Sequence, residues 1–155
     1  MEFPDVSTDG LVIRPLRPDD RSAWEPLWRG YLTFYHSTQD AVVTELIWAR
    51  VHDPAEPMFA LGACLDGKLV GITHYLFHRT FWTAGDYCYL QDLFVDQSIR
   101  GRGVGEALIA AVEQEAKVWG ANRVHWLTRE ENAVARGLYD KVAERSGFIQ
   151  YRKIF

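Results

Sequence analysis

One segment restricts the topology more than any other. "DYCYLQDLFV" (86–95) has the β-branched and aromatic content of a strand, and "RGRGVG" (100–105) follows as a turn. A helix pattern then places Val104, Leu108, Ala111, Val112, Glu115 and Trp119 on its inner and flanking rows, and Gly120 closes it. "NRVHWLT" (122–128) reads as another strand. Two strands joined through one helix in a single sheet run parallel by a right-handed crossover, so this piece predicts a βαβ unit.

The remaining patterns fit around that unit. "LVIRPLR" (11–17) alternates apolar and basic residues as a first strand, and Pro18 with Asp19 and Asp20 opens a helix. In that helix Trp24, Trp28, Tyr31 and Tyr35 fall on one aromatic stripe. A second helix is expected over about 39–51, ended by "DPAEP". "MFALGACLDGKLVGITHYLF" is two β-prone runs joined by Asp66-Gly67, the dipeptide that supplies positive φ in a tight hairpin turn. "NAVARGLYDKVAER" predicts a last helix and "GFIQYRKIF" a last strand. The fold class is α/β (α+β): a mixed, mostly antiparallel central sheet with helices on both faces, in one domain over 1–155.

Composition narrows the functional classes. With 48% apolar residues and no apolar run of membrane-spanning length, the chain reads as a soluble, cytoplasmic protein. Cys64 and Cys88 read as free thiols in a reducing compartment. A net charge of −4 argues against nucleic acid, which demands a basic surface. The charge is unevenly spread: residues 1–96 carry seven basic and fourteen acidic side chains, residues 97–155 ten and seven. Such halves suit ligands of opposite sign, although solvated faces of unequal charge produce the same count.

The glycine turn supplies the second ligand class. At a strand–turn–helix junction, unpaired amides and the positive end of the helix dipole converge into an anion site. Glycines let the backbone approach the anion. "GRGVG" lacks the Lys-Ser/Thr of a P-loop, and its third glycine comes one residue early for the dinucleotide fingerprint. Arg100 and Arg102 favour a pyrophosphate; a tight turn with incidental glycines is the alternative.

"RGRGVG" after "LQDLFV" resembles the R/Q-x-x-G-x-G/A signature of the GNAT superfamily of N-acetyltransferases, and "NAVARGLY" (132–139) with Gly147-Phe148 follows in that superfamily's order. Within it the pattern is most similar to the diamine (spermidine/spermine) acetyltransferase branch. The resemblance implies an acetyl-CoA-dependent enzyme of the GNAT acyl-CoA N-acyltransferase fold, needing no metal, with a homodimer as the expected assembly. It places the pantetheine arm along the backbone of Leu93, Phe94 and Val95, and the pyrophosphate on Arg100, Gly101, Arg102, Gly103, Val104 and Gly105. It puts Asn132 against the cofactor and Tyr139 beside the thioester sulfur. An N-cap role for Asn132 and a core role for Tyr139 are the readings without it.

Acetyl transfer from acetyl-CoA to an amine requires an acid for the departing thiolate, a role suited to Tyr139, and an acceptor for the ammonium proton. Where the polyamine enzymes carry a glutamate this chain has Gln91, which can orient water but cannot take the proton. Asp92 points to the opposite face unless the strand bulges, and then joins the relay; a water chain is the other route. Thr80 stands where those enzymes carry an acid, which weakens the case for an extended polycation, and seven residues separate Tyr139 from Gly147 where many relatives have three. Trp28, Tyr35 and Trp82 are candidates for the wall of a cation pocket, or core residues. His74 and His78 share a strand face but lack a third metal ligand at a telling spacing, and His125 reads as packed. The expected reaction is direct transfer to a primary amine of a small molecule or a lysine side chain. A catalytically weak CoA-binding sensor or interaction module is the rival, and a protein-directed acetyltransferase the third option.

Overall fold

The computed structural model describes residues 10–99 and 101–155. Five strands form one sheet in chain order: β1 (Leu11–Pro15), β2 (Met58–Leu65), β3 (Lys68–His78), β4 (Tyr87–Val95) and β5 (Arg123–His125). β1 to β4 are antiparallel neighbours and β5 lies parallel to β4. Four helices accompany them: α1 (Arg21–Phe34), α2 (Ala41–Val51), α3 (Val104–Trp119) and α4 (Ala133–Val142).

Local chemistry accounts for the boundaries. Asp66 and Gly67 both take positive φ, 50° and 82°, the geometry that joins twisted strands through two residues. The Asp40 side chain accepts the Val42 amide at 2.8 Å and starts α2. Gly120, left-handed at φ 87°, passes its N–H back to Ala116 and Lys117 and ends α3.

Two cores sandwich the sheet. On one face α3 packs Leu108, Ile109 and Val112 against Leu61, Val70, Tyr75 and Leu90. On the other, Trp24, Leu27 and Trp28 of α1 and Trp48 of α2 cover Ala60, Cys64 and Ile72. The aromatic stripe is a contiguous row: Trp24 stacks on Trp28 (ring centroids 6.1 Å apart), Trp28 stacks on Tyr31 (5.3 Å), and Tyr31 meets Tyr35 at a tilt (4.9 Å). Where α1 crosses β4, Gly30 has no side chain, and the Phe94 ring comes within 2.7 Å of where its Cβ would stand. Both cysteines are buried and free, and burial pushes the Cys88 thiol up to about 12.

Two predicted strands are corrected. "NRVHWLT" is a strand only over Arg123–His125, because β5 parts from β4 beyond the Tyr89–His125 pair. "GFIQYRKIF" forms no strand: α4 ends at Val142, Ala143 turns the chain into extended backbone, and residues 143–155 are exposed throughout with no neighbouring strand to complete a ladder. The last helix is shorter than its pattern for the same reason, since no packing surface continues beneath it.

Candidate active site

The site lies where β4 and β5 separate. β3 pairs with one edge of β4 as far as Val95, but the parallel ladder on its other edge stops at Tyr89. From Leu90 to Val95 that edge pairs with no strand among the described residues, which leaves main-chain donors and acceptors there available to a ligand. A cleft opens along it, lined by Tyr31, Tyr35, Leu90, Gln91, Leu93, Ile109, Trp126, Leu127 and Tyr139.

A bulge shapes this edge. His74 pairs with Asp92 and Tyr75 with Leu90, so Gln91 is an extra residue with no partner on β3. Without it Leu90 and Asp92 would share a face. With it Leu90 and Leu93 both pack toward α3, while Asp92 turns to the α1 side with Phe94. The bulge required for Asp92 to change face is therefore present, and it points the carboxylate beneath α1 rather than directly into the cleft.

Under α1, Asp92 joins a buried polar chain. The Trp24 indole can only donate, and its Nε1 lies 3.0 Å from His74 Nε2, so Nε2 is the accepting nitrogen. Nδ1 then carries the proton and donates to Asp92 Oδ2 at 3.0 Å. The same carboxylate acts on Tyr31: burial, reinforced by that negative charge, pushes its hydroxyl well above the ordinary tyrosine range. Tyr31 also lines the cleft, so a residue on the cleft wall lies within the influence of the Asp92 charge.

On the opposite wall Tyr139 of α4 meets Trp126 edge-on at 5.5 Å. Burial, with a small contribution from Tyr35, pushes its hydroxyl up to about 12. Burial likewise raises Tyr35 against the lowering effects of a hydrogen bond to Thr128 and the Arg129 cation.

The glycine turn stands at the far end of the free edge. Gly101 and Gly103 are left-handed, at φ 82° and 76°, and a Cβ on either would meet nothing within 4 Å. Gly103 caps α3, and its carbonyl accepts the Ala107 amide, so the N–H groups that precede Ala107 in the first turn point outward. Arg102 is exposed, Val104 is buried beneath the turn, and a Cβ on Gly105 would come into ordinary contact with Leu138 and Val95. Arg100 lies outside the described residues. The turn is unobstructed, as an anion site must be.

Other candidates fall elsewhere. Asn132 caps α4 with its backbone, while its side-chain amide donates to Thr128 Oγ1 at 3.2 Å. Of the three proposed wall aromatics only Tyr35 lines this cleft: Trp28 is 7% exposed and bonds Gln39, and Trp82 is 87% exposed in the loop before β4. His125 stacks flat on Tyr89 at 5.1 Å. His74 bonds Trp24 and Asp92, and His78 bonds the Arg79 carbonyl; no group of three metal-ligating side chains occurs among the described residues. Tyr31, His74, Trp126 and Leu127 were not readable as site residues. Tyr31 was hidden in a stripe that reads as core, and His74's role depends on the bulge.

A sheet that splits beside a bulged strand, with an open glycine turn leading into the next helix, is the framework of an N-acyltransferase that takes its acyl group from a CoA thioester. The chain belongs to the acetyltransferase (GNAT) family, whose model matches residues 21–143, and it is an acetyl-CoA-dependent N-acetyltransferase. It is 33% identical over 147 residues to the D-amino-acid N-acetyltransferase HPA3 of Saccharomyces cerevisiae, covering 94% of this chain and 91% of that one. It is 31% identical over 110 residues to the thialysine N-epsilon-acetyltransferase of Bos taurus, covering 71% and 55%. Among solved structures, AAC(6')-Iy in complex with a CoA bisubstrate analog superposes with a TM-score of 0.80 at 21% identity over 94% and 99% of the two chains. That likeness establishes the shared fold.

Proposed function

We propose that the protein transfers acetyl from acetyl-CoA directly to a primary amine of a small molecule, or to a lysine side chain, as a cytoplasmic homodimer. The observation that carries this reading is the cleft itself, which joins the free edge of β4 to Tyr139 on one side and to Tyr31 on the other. The D-amino-acid and thialysine enzymes named above support an amine borne on an amino-acid-like molecule.

Residues 100–105 would hold the pyrophosphate and the main chain of Leu93 to Val95 the amides of the pantetheine arm, with Asn132 flanking the arm. The donor supplies an activated carbonyl. A strand N–H near Leu93 stabilises the charge that develops on its oxygen. Tyr139, held protonated by burial, gives its proton to the departing thiolate. The acceptor enters as an ammonium of pKa about 10.4 and must lose a proton before attack. Gln91 at the bulge orients water, and Tyr31 links the cleft to Asp92, which receives the proton.

Steady-state assays over D-amino acids, thialysine, ornithine, spermidine and lysine peptides, following free CoA thiol, test the reading. Release is expected with at least one small amine. No release with any of them, despite acetyl-CoA binding by calorimetry, would establish the CoA-binding sensor instead.

A further inference from the structure

Two charges of opposite sign act on the cleft wall at Tyr35. Asp92 lies beneath α1, and Arg129 follows β5 on the loop whose preceding residues, Trp126 and Leu127, line the cleft. The Arg129 guanidinium stands over the Tyr35 ring, with Cζ 5.6 Å from the centroid. Burial raises the Tyr35 hydroxyl; of the two charges, Arg129 lowers it and Asp92 raises it. A carboxylate on β4 and a guanidinium after β5 therefore reach one residue of the cleft from different elements.

The guanidinium is held in place and left largely unused. The Asn132 N–H donates to the Arg129 carbonyl at 3.0 Å and the Ala133 N–H to the Glu131 carbonyl at 2.8 Å, so the start of α4 fixes the loop backbone. The Asn132 side-chain amide ties Thr128 to the same turn at 3.2 Å. Other arginines are engaged: Arg14 donates to Asp20, Arg21 and Arg29 to Glu25, Arg79 to Asp86, and Arg136 to the Glu130 carbonyl. Arg129 differs. Its acidic neighbour among the described residues is Glu131, at 3.9 Å on an exposed side chain and beyond hydrogen-bond reach. Such an exposed pair contributes little, so a carboxylate able to accept two parallel N–H donors replaces it at small cost.

We propose that Arg129 is a specificity residue that binds the carboxylate of the acceptor, and so selects a free amino acid over a plain amine or a lysine within a peptide. The inference rests on the reading that the cleft receives an amine, and it names the class of that amine. An amino acid carries both signs: its ammonium suits the Asp92 side of the cleft and its carboxylate the Arg129 side. A diamine brings a second cation toward the guanidinium, where like charges repel. A lysine inside a peptide has no free α-carboxylate to offer.

Matched pairs that differ only in the carboxylate test it: phenylalanine against phenethylamine and lysine against cadaverine, with both enantiomers of each amino acid. Calorimetry on the full chain, with and without CoA, reads binding, and CoA thiol release from acetyl-CoA reads turnover. Wild type should favour the carboxylated member of at least one pair. In Arg129→Gln that preference should fall by about 10- to 100-fold in affinity and in kcat/KM, the range of a hydrogen bond to a charged group. Arg129→Lys should restore part of it, since an ammonium keeps the charge without the planar fork. A preference that stays at the wild-type value in Arg129→Gln, or turnover of decarboxylated members alone in wild type, would overturn the assignment and leave acetyl transfer standing. Selective amino-acid binding that is lost in Arg129→Gln, with no CoA release from any amine, would uphold the carboxylate site and remove the transfer reading. Neither binding nor turnover of any amino acid would overturn the proposal outright.

Discussion

His74 and Asp92 face one another across β3 and β4, with Nδ1 3.0 Å from Oδ2, because one extra residue at Gln91 turns the carboxylate onto the α1 face. The carboxylate rests on histidine and tryptophan behind it, and its charge reaches Tyr31 on the cleft wall, the pair that the proposed function uses as a proton path. If Tyr31 and Asp92 act in series, each depends on the other. Tyr31→Phe and Asp92→Asn should each lower kcat by about 10- to 100-fold, the lower range of general acid–base contributions, with the KM for acetyl-CoA unchanged. The double variant should cost no more than the worse single one, since residues acting as a unit are not additive. Steady-state kinetics on the three variants decides it; losses that multiply would mean the two groups act independently.

In the proposed function Tyr139 donates a proton rather than binding the carrier. With its hydroxyl pushed up to about 12, it stays protonated across any practical assay range and contributes no falling limb to the rate profile below that pH. Tyr139→Phe retains the ring contact with Trp126 and removes only the proton. The expected result is a kcat about 100-fold lower with little change in acetyl-CoA affinity measured by calorimetry. Unchanged kcat would remove the hydroxyl from the reaction.

At Gly103 the constraint is backbone shape. A new Cβ would meet no neighbour, so any effect of Gly103→Val arises from a β-branched residue forced to φ 76° at the mouth of α3. A penalty of about 1–2 kcal/mol for left-handed geometry corresponds to roughly 5- to 30-fold weaker acetyl-CoA binding, as the turn relaxes away from the shape that presents its amides. Titration calorimetry measures this directly; wild-type affinity would show that the turn does not hold the carrier.

The elements that local chemistry dictates were legible in the sequence. Asp66-Gly67 announces its hairpin because few dipeptides tolerate two positive φ angles, and the βαβ crossover follows from the strand, glycine turn and helix run at 86–119. The aromatic stripe was legible as a stripe, but whether Trp28 faces ligand or core depends on α2, which closes over it. The turn of Asp92 depends on register between β3 and β4, a non-local property that alternation along one strand cannot report. The tail is the plainest difference. Its sequence has every mark of a strand, yet a strand exists only where it pairs with an edge, and residues 143–155 are exposed and pair with no strand among the described residues.

The ion pair that ties β1 to the start of α1 gives a prediction about pH. Arg14 holds Asp20 through two hydrogen bonds, Nη1–Oδ2 at 2.6 Å and Nη2–Oδ1 at 2.9 Å, and the Arg17 amide donates to Oδ2 at 2.7 Å. The Arg14 contact, aided by that amide, holds the Asp20 carboxyl below its ordinary range. A depressed folded pKa contributes stability that is present above the unfolded value of about 3.9 and is lost as pH falls through the folded value. Asp20→Asn should therefore cost about 1–3 kcal/mol near neutral pH, because a partly buried guanidinium loses its paired charge. The gap between wild type and variant should begin to narrow as the pH drops below about 4, where the unfolded carboxylate protonates first, and close once the pH falls below the depressed folded value. Urea unfolding at a series of pH values measures both effects; parallel curves down to the acid limit would show that the pair contributes nothing to folding.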